Sequence, residues 1–295
     1  MLSRRAFTVV ELLVSLAVLG VILAAILGLI VSQQRFYAGA ASMLETRTVL
    51  RDAADAVGGS LRGIAPGEGD IYSMTSSAVE FRAPAGASIA CTIDATRTRV
   101  TIPALTLASG LALSTWPSLP ADGDSLWIFD AGALPDGSDD RWGVAALTAA
   151  PGGGSCPVAT GFSSSAAEAA RGFTLALDGA LPATIASGAA IRIFRRARYE
   201  LYLAADGAWY LGYYDCLGSR ATPCSAVQPV SGPYLAGSGS PPGLSLSFVD
   251  AAGATTADPR AVARVDVVAR GESRTNVERG SRRRDSLGVR VRPRS

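Results

Sequence analysis

Glu11 is the residue whose position most demands a chemical reason. It sits in Ala6-Phe7-Thr8-Val9-Val10-Glu11-Leu12-Leu13-Val14-Ser15, at the head of an apolar run that continues to Val31, just after Arg4 and Arg5. A carboxylate carried into a bilayer core costs about 2.5–3.5 kcal/mol on insertion scales, so one placed here needs a partner or a purpose. Three other groups have residue types and spacings that could support chemistry. Cys91, Cys156, Cys216 and Cys224 could pair or hold a metal. Carboxylates crowd at Asp122, Asp124, Asp130, Asp136, Asp139 and Asp140, and Arg282-Arg283-Arg284 sets three guanidinium groups in a row.

Composition narrows these choices. All 27 basic residues are Arg, with neither Lys nor His. That excludes Ser-His-Asp and Cys-His sites, Schiff-base and P-loop lysines, and imidazole metal ligands. Zinc on the cysteines would want tighter clustering, usually with His. Asp136-Gly137-Ser138-Asp139-Asp140 offers oxygens to calcium but lacks the spacing and closing Glu of an EF-hand loop. Glycan hydrolysis needs two carboxylates at a fixed separation, which nothing here sets. The expectation is a protein that is not an enzyme and carries no metal and no cofactor.

The element that must position Glu11 is a helix. Phe7 to Val31 is about 25 residues, enough at 1.5 Å each to cross a hydrocarbon core of roughly 30 Å with some tilt. Arg4 and Arg5 have no matching cluster just beyond Val31, so the positive-inside rule keeps the leader cytoplasmic and exports the rest. A secretory signal peptide would have a shorter core, about 7–15 residues, and no use for Glu11. A plain signal anchor would leave Glu11 to snorkel at the interface.

Beyond the span, Phe36, Ala40, Met43, Leu50, Ala54, Val57 and Leu61 recur at helical spacing between charged residues, which predicts an amphipathic stalk. It continues to about Val57, with Gly58-Gly59 as a C-cap. After Pro66-Gly67-Glu68-Gly69-Asp70 the pattern turns to alternation. Strands are expected at Ala78–Arg82, Ser88–Ile93, Thr98–Ile102, Ser125–Phe129, Trp142–Leu147, Ala190–Phe194, Gly243–Phe248 and Val262–Val268. Arg198–Leu203 and Trp209–Tyr214, joined through Asp206-Gly207, predict a hairpin whose Tyr and Trp side chains pack in the core. Segments 149–170 and 218–243, rich in Gly, Ser, Ala and Pro, read as surface loops.

Four cysteines allow three connectivities. Cys216 and Cys224 flank a loop short enough to close, which favours that pair with Cys91–Cys156 as the other. Disulfides fit an exported, oxidising location. Without Arg4 and Arg5 the chain holds 25 Arg against 25 acids, so there is no global attraction to nucleic acid. Residues 270–295, however, hold nine Arg against three acids. Leu287, Val289 and Val291 alternate with Arg290 and Arg292, which predicts a terminal strand with a solvated basic face. A DNA contact through Arg282, Arg283 and Arg284 is the sharper reading, although no aromatics are interleaved there to stack bases.

Phe7-Thr8-Val9-Val10-Glu11, after a short basic leader and a small residue, resembles the amino terminus of the type IV pilin and type II secretion pseudopilin superfamily. The resemblance implies cleavage between Ala6 and Phe7 by a prepilin peptidase, N-methylation of Phe7, and pairing of Glu11 with the terminal amine of a neighbouring subunit. Ala6 stands where most members have Gly, and the Pro that commonly kinks the major-pilin helix is absent, leaving Gly20 and Gly28 as flexible points. The late hairpin, the Gly-Leu-x-Leu-x-Phe strand, the Asp-x-x-Gly turn and the Val-rich strand resemble the carboxyl-terminal half of J-type pseudopilins and PilW-like minor pilins.

The resemblance implies an α+β fold: a leader (1–6), a transmembrane helix (7–31), an amphipathic stalk (32–62) and a β-rich pilin-like domain (63–295). It implies a minor pilin-like subunit of the inner membrane, single-pass with its carboxyl-terminal domain outside, that joins or initiates an envelope filament with other pilin subunits. A J-type pseudopilin of a type II secretion system, or a filament-displayed adhesin or DNA receptor, is the alternative.

Overall fold

A computed structural model describes residues 9–117, 119–216, 224, 226–276 and 281–294. The fold is α+β: a long apolar helix followed by antiparallel sheets. Helix α1 (Val9–Arg62) is one element of 54 residues, about 80 Å at 1.5 Å per residue. It does not stop at Gly58-Gly59, as the sequence suggested. Gly58 is buried inside the helix, and a Cβ there would lie 3.5 Å from the Val291 side chain. That is ordinary van der Waals contact, so the position lies on the docked face of a helix that runs on to Arg62, and the glycine does not cap it.

After a 3-10 turn at Pro66–Glu68 come β1 (Ile71–Met74), β2 (Ala78–Ile89), β3 (Thr92–Ile93), β4 (Arg99–Ile102), β5 (Ser125–Asp130), β6 (Arg141–Ala146) and β7 (Gly152–Gly154). Then follow the short helix α2 (Ala166–Ala169), β8 (Gly172–Ala176), β9 (Ala190–Leu203), β10 (Trp209–Asp215), β11 (Ala226–Tyr234), β12 (Leu244–Val249), β13 (Arg264–Glu272) and β14 (Arg284–Val291). The strands form three sheets. The largest runs β1-β2-β9-β10-β11, with β5 attached to β9 and β6 to β5; the others are β12-β13-β14 and β3-β4-β8-β7.

Strand β9 is the spine. One edge pairs with β2 from Ala190↔Ile89 to Glu200↔Ala78, while the other takes β5 at Ile191–Phe194 and β10 at Ala197–Leu203. The sequence pattern had divided it into Ala190–Phe194 and Arg198–Leu203. Its buried positions are Ile191, Ile193, Arg195, Ala197, Tyr199 and Leu201, so strict alternation continues through the gap, and a buried Arg disguises it.

Other boundaries also move. Strand β2 runs past Arg82 to Ile89, with a register shift between Pro84 and Gly86. The expected Ser88–Ile93 strand is divided, because Ser88 and Ile89 end β2 while Thr92 and Ile93 form β3 in another sheet. The expected surface loops are partly built into sheets: β11 lies within 218–243, and β7 and α2 within 149–170. Strand β11 contains Pro229 and Pro233, and it lies at a sheet edge, where a missing N–H is tolerated. In the β9–β10 hairpin only Gly207 takes positive φ, at +79°, and the Asp206 side chain accepts from the Ala208 amide.

Two cores result. In the first, Leu50, Val57 and Leu61 of α1 pack with Phe81, Tyr199, Leu211, Val265, Val267 and Val291. In the second, Val100, Ile102, Leu126, Ile128, Leu175, Ile191 and Ile193 pack without the helix. Arg195 lies between Ile193 of one and Ala197 of the other along β9. Its guanidinium is almost fully buried. It donates to Asp124 at 2.8 and 2.7 Å, to Asp215 at 3.1 Å and to the Leu119 carbonyl at 2.7 Å. A buried Arg with this many acceptors is tolerated because each charge has a partner.

Candidate assembly surface on the N-terminal helix

Helix α1 changes character along its length. From Val9 to Ala38 every residue is exposed, although this stretch holds Leu12, Leu13, Leu16, Leu19, Ile22 and Leu23, each half or more open to solvent except Ile22 at 49%. Among the described residues α1 is the one helix long and apolar enough to cross a membrane. Glu11 lies in its first turn, where a carboxylate complements the positive end of the helix dipole. The Ser15 hydroxyl donates to the Glu11 carbonyl at 2.8 Å. Ala6 and Phe7 lie outside the described residues.

Burial begins at Gly39 and follows Ser42, Thr46, Leu50, Ala53, Ala54, Val57, Gly58 and Leu61. The expected stripe is therefore corrected at its start. Phe36 is 72% exposed and Ala40 is exposed; small and hydroxylated residues face the domain instead. Close backbone approach is the reason. A Cβ at Gly271 would come within 3.0 Å of Thr46 Cγ2, and the Ser42 hydroxyl accepts from the Arg274 and Thr275 amides at 2.8 and 3.3 Å.

Lower down, Tyr234 Oη donates to the Val49 carbonyl at 2.8 Å, and Tyr199 Oη meets Ser60 Oγ at 3.1 Å. Arg47 pairs with Asp285 at 3.0 Å, and that hydrogen bond is the main reason the Asp285 carboxyl is held below its usual range. Burial pushes the Tyr234 phenol up to about 12. The half of the helix beyond Gly39 is thus bound to its own domain by packing and polar contacts.

The remaining sequence-predicted residues are dispersed. Cys91 is joined to Cys156 and Cys216 to Cys224, with Cα separations of 5.5 and 4.4 Å. Glu80 lies beside the second pair, but both sulfurs are spent in the disulfide and cannot act as thiolate ligands. Much of the acidic cluster serves the fold. Asp124 grips Arg195. Asp130, fully buried, accepts from Thr184 at 2.8 Å, Gly132 at 3.1 Å and Arg141 at 3.2 Å. Burial alone would raise the Asp130 carboxyl, but these donors outweigh it and hold it below the usual range. Asp139 accepts from the Ala133 and Leu134 amides, and Asp136 from Ser138. Their oxygens are committed to closing the loop.

Arg282, Arg283 and Arg284 are exposed at the start of β14. Arg284 pairs with Glu272 at 3.7 Å, and the Arg283 amide donates to Ser273 Oγ at 2.9 Å. Leu287, Val289 and Val291 turn toward the core while Arg290 faces out. The composition-based search missed Arg195, whose only signal was its inward register on β9.

These positions leave the exposed apolar half of α1, with Glu11 near its tip, as the surface that the fold itself does not use. No curated protein and no solved structure matches the chain. Residues 1–27 match the family model of the prokaryotic N-terminal methylation motif, a motif of the type IV pilin-like kind.

Proposed function

We propose that the protein is a minor type IV pilin-like subunit, stored in the inner membrane and recruited into an envelope filament through its N-terminal helix. The observation that carries this reading is the division of α1: its far half is docked on its own domain, while every residue from Val9 to Tyr37 is exposed, in a stretch that is almost wholly apolar up to Val31. Such a surface is stable in lipid or in a bundle of like helices, and not in water.

In this reading residues 1–6 are a leader removed between Ala6 and Phe7, residues 7–31 span the membrane, 32–62 form the stalk and 63–295 the exported domain. Phe7 becomes the methylated terminus. Glu11 pairs with a neighbour's terminal ammonium, one turn of helix from its own end, where an ion pair lowers the cost of keeping either charge in a low-dielectric bundle. The exported position suits the two disulfides.

Mass spectrometry of the membrane-extracted protein is the test. The expected amino terminus is N-methylated Phe7, lost when the prepilin peptidase is removed. A terminus near Ser32, or an intact Met1, overturns the reading.

A further inference from the structure

The outer face of the largest sheet interleaves arginines with aromatic rings. Arg82 lies 4.5 Å from the Trp127 ring, Arg192 4.8 Å from Trp142, Arg196 5.2 Å from Tyr72 and Arg198 4.6 Å from Tyr214. The rings also meet one another: Trp127 stands edge-on to Phe194 at 5.5 Å, and Phe129 to Trp142 at 5.6 Å. At one end this face becomes the floor of a half-open cleft of about 660 Å³, within the range of small-ligand sites, about 300–1,000 Å³.

The charges of the cleft select its occupant. Arg82 and Asp70 form an ion pair of 2.6 Å, with both side chains largely buried, and Asp70 is fixed by the Ala65 amide at 2.8 Å. That pair is structural. Arg192 and Arg294, also in the lining, are exposed and have no carboxylate partner among the described residues; Glu68, at the same wall, is exposed and has no cationic one. The cleft therefore offers two uncompensated cations, one uncompensated carboxylate and an apolar wall of Trp127, Trp142 and Phe194.

The geometry points to a binding site for an acidic saccharide, a chain of sugars bearing ring carboxylates. A uronate carboxylate matches the planar fork of Arg192, which its stack on Trp142 holds in place. The apolar C–H faces of sugar rings suit the Trp and Phe walls, and hydroxyl groups donate to Glu68. Every sugar unit also brings hydroxyl donors to that carboxylate, which the phosphodiester backbone of DNA lacks, and this favours the saccharide over DNA. This site lies on the exported domain, away from the exposed half of α1, and does not depend on how the helix is used.

The test titrates the detergent-solubilised full-length chain with an oligogalacturonate at low salt. Saturable binding is expected, weakened about tenfold or more by Arg192→Gln through loss of the charge-assisted pair, and several-fold by Trp142→Ala through loss of the stack. Arg192→Lys should recover only part of the loss, because an ammonium cannot bind bidentately. Both positions are at least partly exposed, and unchanged thermal unfolding would show that the variants are folded. Absence of binding by the wild type would overturn the inference. So would equal binding of the methyl-esterified, uncharged oligomer, indifference to Arg192→Gln and Trp142→Ala in folded protein, or tighter binding of a single-stranded oligonucleotide or an acidic peptide at the same cleft.

Discussion

The two halves of helix α1 differ in apolar content and have opposite fates: 22 of the 30 residues from Val9 to Ala38 are hydrophobic, against 11 of the 23 from Gly39 to Leu61. Between Gly39 and Leu61 one face is buried, held by Tyr234 on Val49, by Ser42 under the Arg274 amide and by Val57 and Leu61 in the first core. Between Val9 and Ala38 nothing is buried. Periodicity explains the contrast. The far half spaces its apolar residues on one face and sets Glu45, Arg51, Asp52 and Asp55 on the others. The near half is apolar all round from Leu12 to Val31, broken by Ser15, with its other polar residues at the two ends, Glu11 and Ser32-Gln33-Gln34-Arg35, as expected of a segment solvated by lipid or by other helices. One half completes the fold of this chain, and the other is available for contacts beyond it.

The largest expected effect comes from placing a charge in the buried half. Val57 is wholly inaccessible, and Val57→Asp should cost about 4 kcal/mol or more, since an unpaired carboxylate would sit in the first core. Ile22→Ala, in the exposed half, should leave denaturant unfolding of the β-rich domain unchanged within about 0.5 kcal/mol. If both variants unfold alike, the halves are not distinct.

Next in size is the junction between the two cores. Arg195→Met removes the partner of Asp124 and Asp215 and should cost about 3–5 kcal/mol, because two buried carboxylates are left uncompensated. Unfolding in two steps would show that the helix-packed core survives alone. A single lower transition would show that β9 makes them one unit.

Disulfide reduction should act mainly on the core that lacks the helix. Opening Cys91–Cys156, which spans 65 residues, should cost about 3–4 kcal/mol, and opening Cys216–Cys224, which spans 8, less, if loop-closure entropy dominates. Stepwise reduction followed by denaturant unfolding measures both.

The smallest effect is alkaline. Burial raises the Tyr234 phenol from 10 to about 12, and likewise Tyr213. A folded-state pKa raised above the unfolded one contributes stability that is intact below pH 10 and is lost as pH climbs through 12. Tyr234 donates to Val49, so helix docking should loosen over that window, and Tyr234→Phe should flatten its share of the dependence. Stability that rises between pH 10 and 12 would contradict this.

The helix, the change to alternation near residue 70 and most late strands were legible because their patterns are local. Strands β12, β13 and β14 moved by only a few residues, since Leu246, Val265, Val267 and Val289 alternate without interruption. What could not be read depends on long-range partners. Strand β11, with two prolines, is a strand only because β10 offers it an edge. The continuity of β9 was concealed by Arg195, whose burial makes sense only once Asp124, some 70 residues earlier, is beside it. Gly58 reads as a helix stop until the helix is seen to run on to Arg62 with Gly58 buried on its docked face. The methylation motif was legible because it is local, lying within residues 1–27, whereas the cleft beside Trp142 draws on β2, β5, β6 and β9 and has no linear signature.

The claim that the exposed half of α1 is completed by other subunits rests on Glu11 as an assembly contact, and one comparison tests it directly. Full-length wild type and Glu11→Ala would be expressed with their filament partners, and recovery of each in the assembled filament measured against its level in the membrane. The expected result is that Glu11→Ala is cleaved and inserted normally, because losing a carboxylate makes the segment easier to insert, yet is recovered poorly in the filament, since breaking an ion pair in a low-dielectric bundle costs about 3–5 kcal/mol. Recovery of Glu11→Ala equal to wild type would contradict the account.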